Sequence, residues 1–192
     1  MEETTTQREK PPQSREEILA ALKSLSGGGL DFWAALEPGR FAAPFGAAWS
    51  PADNLRHLIK STEAVTKALK MPGLALRSLF GTADAPSLSY DALRDKYRGL
   101  LAGGADAGRF APDAADAPED AAAWQRELVG RCREAVSGLE KAAARWNESD
   151  LDRYLLPHPL LGKLTLREML FFTLYHYTHH RENVVRRLAA HV

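Results

Sequence analysis

Apolar residues recur every three or four positions in four long stretches of the chain, the period of an amphipathic α-helix. The first stretch follows a predicted capping box at Ser14 and Glu17, and the second follows a predicted N-cap at Ser50. The third covers residues 118–146, and the fourth follows the T-x-x-E capping box that begins at Thr165. Convincing strand alternation is not found. The pattern therefore predicts an all-α protein, an antiparallel four-helix bundle with long crossover connections.

The segments outside these helices are less regular. Residues 1–13 are polar and contain two prolines, which predicts a disordered N-terminal tail. Residues 74–118 combine a predicted helix near 90–101 with a loop rich in Ala, Gly, Asp and Pro, and they have too few apolar positions for a core of their own. We therefore expect one domain over residues 14–192, with 74–118 as an insertion that carries short helices.

Composition narrows the classes of function. Twenty-five basic side chains balance twenty-five acidic ones, so no bulk charge favours nucleic acid or an anionic membrane. The apolar runs are shorter than the ~20 residues of a membrane span, and the N-terminus has no apolar signal segment. The single Cys132 excludes an internal disulfide and a multi-cysteine zinc site. These features predict a cytoplasmic protein with neither nucleic acid nor a membrane as partner.

Three of the six histidines, His176, His179 and His180, lie within five residues of one another. On a helical wheel, His176 and His180 fall in the apolar stripe of the last helix, and His179 falls at its edge. Because side chains at i and i+4 lie within ~6 Å, two imidazoles there can bind one ion. Two ligands leave a metal under-coordinated, and His57 on the second helix is the candidate for the third. The alternative is a set of core or half-exposed histidines with hydrogen-bond partners.

Two segments around these histidines form a recognisable pattern, WSPADNLRHLIKS and HPLLGKLTLREMLFFTLYHYTHHRENVVRRL. Together they resemble the DinB-like superfamily of metalloenzymes. The resemblance implies a DinB-like four-helix bundle, often a homodimer, with a divalent metal held by His57, His176 and His180 and an open coordination position. Family members often carry Gly-Gln after H-H-R, where this chain has Glu182 and Asn183.

The resemblance also implies chemistry on a small molecule, either S-transfer from a low-molecular-weight thiol or hydrolysis. Zn, Ni, Fe and Mn all accept imidazole, so the ligand type does not select the metal. Tyr177 stands where H-E-x-x-H peptidases carry their glutamate, which argues against peptidase chemistry. The catalytic residues stay unassigned, with Tyr177, Asn54 and Asn183 as weak candidates. The pattern favours an enzyme; the alternative is a non-catalytic metal-binding or stress-response bundle that acts through a partner.

Overall fold

A computed structural model of the chain describes residues 11–113 and 118–190. The helices in chain order are α1 (Arg15–Gly27), α2 (Asp31–Ala34), α3 (Pro38–Ala42), α4 (Pro51–Leu69), α5 (Gly73–Phe80), α6 (Tyr90–Ala102), α7 (Ala121–Ala143), α8 (Glu148–Arg153) and α9 (Leu166–Ala190). Two strands, β1 (Leu155–His158) and β2 (Gly162–Thr165), precede α9, and a 3-10 turn covers Gly108–Phe110. Within the described part of the chain, no helix has the length and apolar character that a membrane span requires. Residues 1–10 of the predicted tail and 114–117 of the predicted loop lie outside the described residues.

Four helices form the bundle, in agreement with the prediction from periodicity. Helix α7 packs against α1 and α4, and α9 packs against α1 and α4 from the other side. Fully buried aliphatic side chains fill the space between them, among them Leu22, Leu55, Leu58, Leu128, Leu139 and Leu170. Burial of this apolar surface is the main force that holds the helices together.

The helix directions show why the chain needs a long connection between α4 and α7. Trp146, just after α7, donates a hydrogen bond to the carbonyl oxygen of Leu69 at the end of α4, at 3.0 Å. Earlier in both helices, Thr62 and Cys132 meet at the hydroxyl of Tyr177. Helices α4 and α7 therefore run in the same direction, and a parallel pair requires a crossover along the length of the bundle. The segment predicted as an insertion supplies that crossover.

A short β-hairpin before α9 was not predicted from the sequence. Strands β1 and β2 pair antiparallel, with His158 opposite Gly162. The Nδ1 atom of His158 accepts hydrogen bonds from the backbone N–H groups of Leu160 and Leu161, at 3.2 and 3.0 Å, and Gly162 adopts a φ of 82°. Strands of four residues are too short for period-two alternation to stand out from the flanking apolar run.

Arg167, at the start of α9, joins three segments of the chain. Its guanidinium donates to the carboxylates of Glu148 and Asp152 and to the backbone carbonyl oxygen of Gln13. Only 7% of Arg167 is exposed to solvent. The hydrogen bond from Arg167 lowers the pKa of the Asp152 carboxyl from its ordinary value. Gln13, the last residue of the predicted tail, is thus bonded to the bundle.

Replacing Arg167 with leucine is expected to lower the free energy of unfolding by about 2 kcal/mol at neutral pH, because two carboxylates and a carbonyl lose their donor. The figure is modest because both carboxylates remain partly in water. A depressed carboxyl pKa stabilises the fold above the unfolded pKa, so the loss should shrink as pH falls below about 4. Urea denaturation at neutral and acidic pH measures both effects.

Arg94 provides the matched control, since it also bridges two aspartates, Asp91 and Asp95, but on the protein surface. Arg94→Leu is expected to change the free energy of unfolding by no more than about 0.5 kcal/mol. Equal losses for the two variants would contradict a special role for Arg167.

Candidate metal centre

The structure brings together the three histidines that the sequence pattern selects as metal ligands. The Nε2 atom of His176 lies 3.0 Å from Nε2 of His57 and 3.0 Å from Nε2 of His180. All three side chains are buried. Their ligand atoms lie within 4.8 Å of one another, which is close enough for a single ion to bind all three.

Capping boxes set the helix starts that aim these side chains. At the start of α4, the Ser50 hydroxyl accepts the N–H of Asp53 at 3.0 Å, and the Asp53 carboxylate accepts the N–H of Ser50 at 3.2 Å. Thr165 and Glu168 make the same reciprocal pair before α9, at 3.1 and 2.8 Å. Each box satisfies backbone donors that a helix start otherwise leaves free. The two helices therefore begin at defined residues, and the histidines keep their positions on the faces that meet.

Hydrogen bonds at Nδ1 fix the tautomers of two of the three imidazoles. His57 Nδ1 donates to the carbonyl oxygen of Phe110 at 2.8 Å, and His180 Nδ1 donates to Oδ1 of Asn54 at 2.6 Å. The amide nitrogen of Asn54 in turn donates to the carbonyl oxygen of Ser50 at 2.8 Å, which orients its oxygen toward His180. Because both acceptors are oxygens without a proton, Nε2 of His57 and of His180 carries the lone pair.

The balance of donors and acceptors at this point favours a cation. His57 and His180 both direct an Nε2 lone pair at Nε2 of His176, which carries at most one proton. One of the two 3.0 Å contacts therefore joins two lone pairs unless positive charge lies between them. An extra proton is disfavoured, because burial and then repulsion from the neighbouring imidazoles hold the pKa of His176 and of His180 well below the ordinary value. A divalent metal accepts all three lone pairs, so the residues present fit such an ion.

His179 is not one of the histidines whose Nε2 atoms meet at this point. Its Nε2 atom accepts a hydrogen bond from the Asn183 amide at 2.8 Å, and burial lowers the pKa of its imidazole to about 4. Arg186 donates to the other side of the Asn183 amide. Asn183, one of the candidate catalytic residues, therefore contacts His179 and not the three convergent histidines.

Tyr177, another candidate catalytic residue, faces the core between α4 and α7. Its hydroxyl lies 3.0 Å from Oγ1 of Thr62 and 3.4 Å from Sγ of Cys132. Burial raises the pKa of Cys132 to about 12 and that of Tyr177 well above its ordinary value, so both groups keep their protons at neutral pH. Of the three candidates, Asn54 is the one that the structure places against a convergent histidine.

Aromatic rings that the sequence pattern did not single out surround the imidazoles. Trp49 stacks on His180 with ring centroids 6.3 Å apart and an angle of 9°, and it also lies 5.2 Å from His57. Phe172 stacks on His176 at 4.9 Å. The one sequence feature that could have pointed to Trp49 is its position directly before the capping box of α4. These rings shield the imidazoles from water, which strengthens electrostatic interactions among them.

A cavity of about 540 Å³ has the three histidines in its wall. The lining comes from α4 and α9, the end of α6, the 3-10 turn, α5 and the hairpin. Its polar members include Asn54, Asp106, Arg109, His158, His179, Asn183 and Arg187, and most of the others are apolar. At ~30 Å³ per water molecule, this volume far exceeds the space of one ion with its waters. The cavity falls in the size range of small-molecule sites.

Comparison with known proteins agrees with this fold. The family model of the DinB superfamily matches residues 12–184. The crystal structure of TT2238, a four-helix bundle protein, is similar to this chain with a TM-score of 0.54 and 17% sequence identity, over 90% of this chain and 99% of that one. At that identity the likeness supports the fold alone. Among curated proteins, none matches the chain.

Replacing His57 or His180 with alanine is expected to abolish tight binding of zinc, because the ion loses one of three nitrogen ligands. His179→Ala is the matched control and should keep stoichiometric zinc, since its side chain bonds to Asn183. Elemental analysis after loading and dialysis measures the metal, and circular dichroism checks the fold of each variant. Stoichiometric zinc in His180→Ala would end the assignment.

Asn54→Leu is expected to weaken zinc binding by about 10- to 100-fold, because His180 loses the acceptor that orients its ring. Asn183→Leu removes the other asparagine of the cavity wall, which has no bond to the three convergent histidines, and should leave zinc affinity unchanged. Competition with a chromophoric chelator at neutral pH measures both affinities. If the two variants bind zinc equally well, Asn54 has no orienting role.

Proposed function

The chain belongs to the DinB superfamily, and from that premise we propose that it is a metal-dependent enzyme that transfers a small thiol to an electrophilic small molecule. The observation that supports this most directly is the position of the three convergent histidines in the wall of a cavity of about 540 Å³. A metal bound there faces space for a substrate. A centre sealed in the core has no such space.

His57, His176 and His180 would hold the metal through their Nε2 atoms. A divalent metal with an open position lowers the pKa of a coordinated thiol or water, and so supplies a nucleophile at neutral pH. Zn, Ni, Fe and Mn all accept imidazole, so the three ligands by themselves do not select one of these metals.

The residues around the histidines position them and keep water away. Asn54 and the Phe110 carbonyl accept the Nδ1 protons of His180 and His57, which holds each ring in the orientation that directs Nε2 to the centre. Trp49 and Phe172 cover the faces of the rings. A site built in this way needs little rearrangement when a substrate binds.

The lining favours thiol transfer over hydrolysis, because its described residues include no strong base beside the centre. Asp106 is the acidic residue among the lining side chains, and it is exposed and accepts the N–H of Gly108. Burial lowers the pKa of His158 and of His179 to about 4, which makes both imidazoles weak bases. Water, with a pKa near 15.7, needs more help to lose its proton than a thiol with a pKa near 8.5.

The alternative to a catalytic metal is a purely structural one. Structural zinc sites are closed, as a rule by four protein ligands. Within the described part of the chain, the group at this point consists of three histidines. An open position beside a cavity is typical of a catalytic site.

The metal-loaded protein is expected to join a small thiol, such as cysteine or glutathione, to an aromatic electrophile such as chlorodinitrobenzene: the sulfur–carbon bond forms as the carbon–chlorine bond breaks, and chloride and the thiol proton are released to water. Activity should fall to background when a chelator removes the metal and return when the metal is restored. His180→Ala should be inactive, and Arg94→Leu, a surface variant whose side chain is not part of the cavity lining, should keep full activity. Absorbance of the thioether product gives the rate.

Two results would contradict this proposal. Metal-dependent cleavage of esters or amides without any thiol requirement would favour hydrolysis. Loss of folding on metal removal, with neither activity present, would favour a structural site.

A further inference from the structure

The cavity continues well past the three histidines along one face of α4. Beyond His57 it is lined at successive turns by Ser61, Val65 and Ala68, and then by Met71 just after the end of the helix. At a rise of ~1.5 Å per residue, the helical segment from His57 to Ala68 spans about 17 Å. A metal with its immediate ligands fills only a small part of that length. The remainder, which we call the apolar arm, is space that the metal chemistry does not explain.

Residues of α5 and the hairpin line the apolar arm beyond the end of α4. Phe80 of α5 and Leu156 and Leu160 of the hairpin line it. Lys163 of the hairpin donates to the carbonyl oxygen of Phe80 at 2.7 Å, and β1 packs against α5. The imidazole of His158 accepts the N–H of Leu160, which holds that side chain at the tip of the hairpin. This part of the wall is therefore built from hydrogen-bonded structure.

Charge is distributed unevenly along the cavity. Among the described residues of α4, α5 and the hairpin, none that lines the cavity is an aspartate, glutamate, lysine or arginine. The charged lining residues are Asp106 and Arg109 near the 3-10 turn and Arg187 near the end of α9. The His158 imidazole lies beside Phe172, with ring centroids 4.3 Å apart, and burial lowers its pKa to about 4, so it is neutral at physiological pH. A wall of this composition binds hydrocarbon well and has little to offer a charged group.

We infer that the substrate is amphipathic, with its reacting polar group at the three histidines and a linear alkyl tail in the apolar arm. The side chains that contact the tail are Val65, Ala68, Met71, Phe80, Leu156 and Leu160. The position of the polar group rests on the proposed function. The tail rests on the shape and composition of the arm, which are independent of the metal.

A series of alkyl hydroxamic acids tests this inference on the zinc-loaded protein. The head group binds the metal and stays constant from acetohydroxamic to octanohydroxamic acid, while the tail lengthens into the arm. Calorimetry should show affinity rising by up to about fourfold for each added methylene group. Ala68→Phe places a ring in the arm, and it should remove most of that gain while acetohydroxamic acid binds as before.

Lys67→Phe is the matched control, because it adds the same ring to α4 one residue earlier, at an exposed position. It should keep the full dependence on chain length. Leu160→Asn changes the hairpin instead of the bundle and should also flatten the series, so a folding defect in Ala68→Phe does not decide the outcome.

The possible failures are distinguishable. If acetohydroxamic acid binds and longer tails bring no gain, the apolar arm does not hold the substrate, and the metal centre stands. If the protein retains no zinc, the proposed function fails, and the arm is then tested with butanol and octanol on the metal-free protein. Octanol binding that Ala68→Phe abolishes would support the arm, and equally weak binding of both alcohols would overturn it.

Discussion

The candidate metal centre depends on two hydrogen bonds that direct imidazole lone pairs to one point. The bond from His180 to Asn54 and the bond from His57 to the Phe110 carbonyl place the protons on Nδ1, so both Nε2 atoms face His176 unprotonated. Burial makes an additional proton unfavourable there. A buried cluster of lone pairs without compensating charge is costly, and a divalent ion removes that cost. The surrounding aromatic rings cover these imidazoles, and the cavity adjoins them.

The crossover between α4 and α7 connects the topology to the site. Because these two helices run parallel, the chain must travel the length of the bundle between them, and on that path it forms α5, α6 and the 3-10 turn. The turn supplies the Phe110 carbonyl to His57, and residues of α5, α6 and the turn line the cavity. A segment that has too little apolar sequence for its own core thus builds much of the chamber in which we propose that the substrate binds.

Local features of the sequence were sufficient for the bundle helices, because they depend on interactions within one turn. The boxes at Ser50 and Thr165 begin α4 and α9 where the pattern predicts, and Pro72 follows the end of α4. The hairpin was missed because strands of four residues inside an apolar segment leave no readable alternation. The assignment of His57, His176 and His180 as metal ligands stays a prediction, now with converging nitrogen atoms to support it.

The sequence by itself determined the helices, their apolar faces and the i, i+4 spacing of His176 and His180, since these follow from backbone periodicity and capping. Only the tertiary structure decided which partners those side chains meet. It placed Asn54 against His180, buried Tyr177 against Thr62 and Cys132, and paired Asn183 with His179. It also gave the cavity its long apolar arm. These outcomes depend on the packing of helices that are distant in the sequence and on the path of the crossover. Local sequence preferences do not determine either of them.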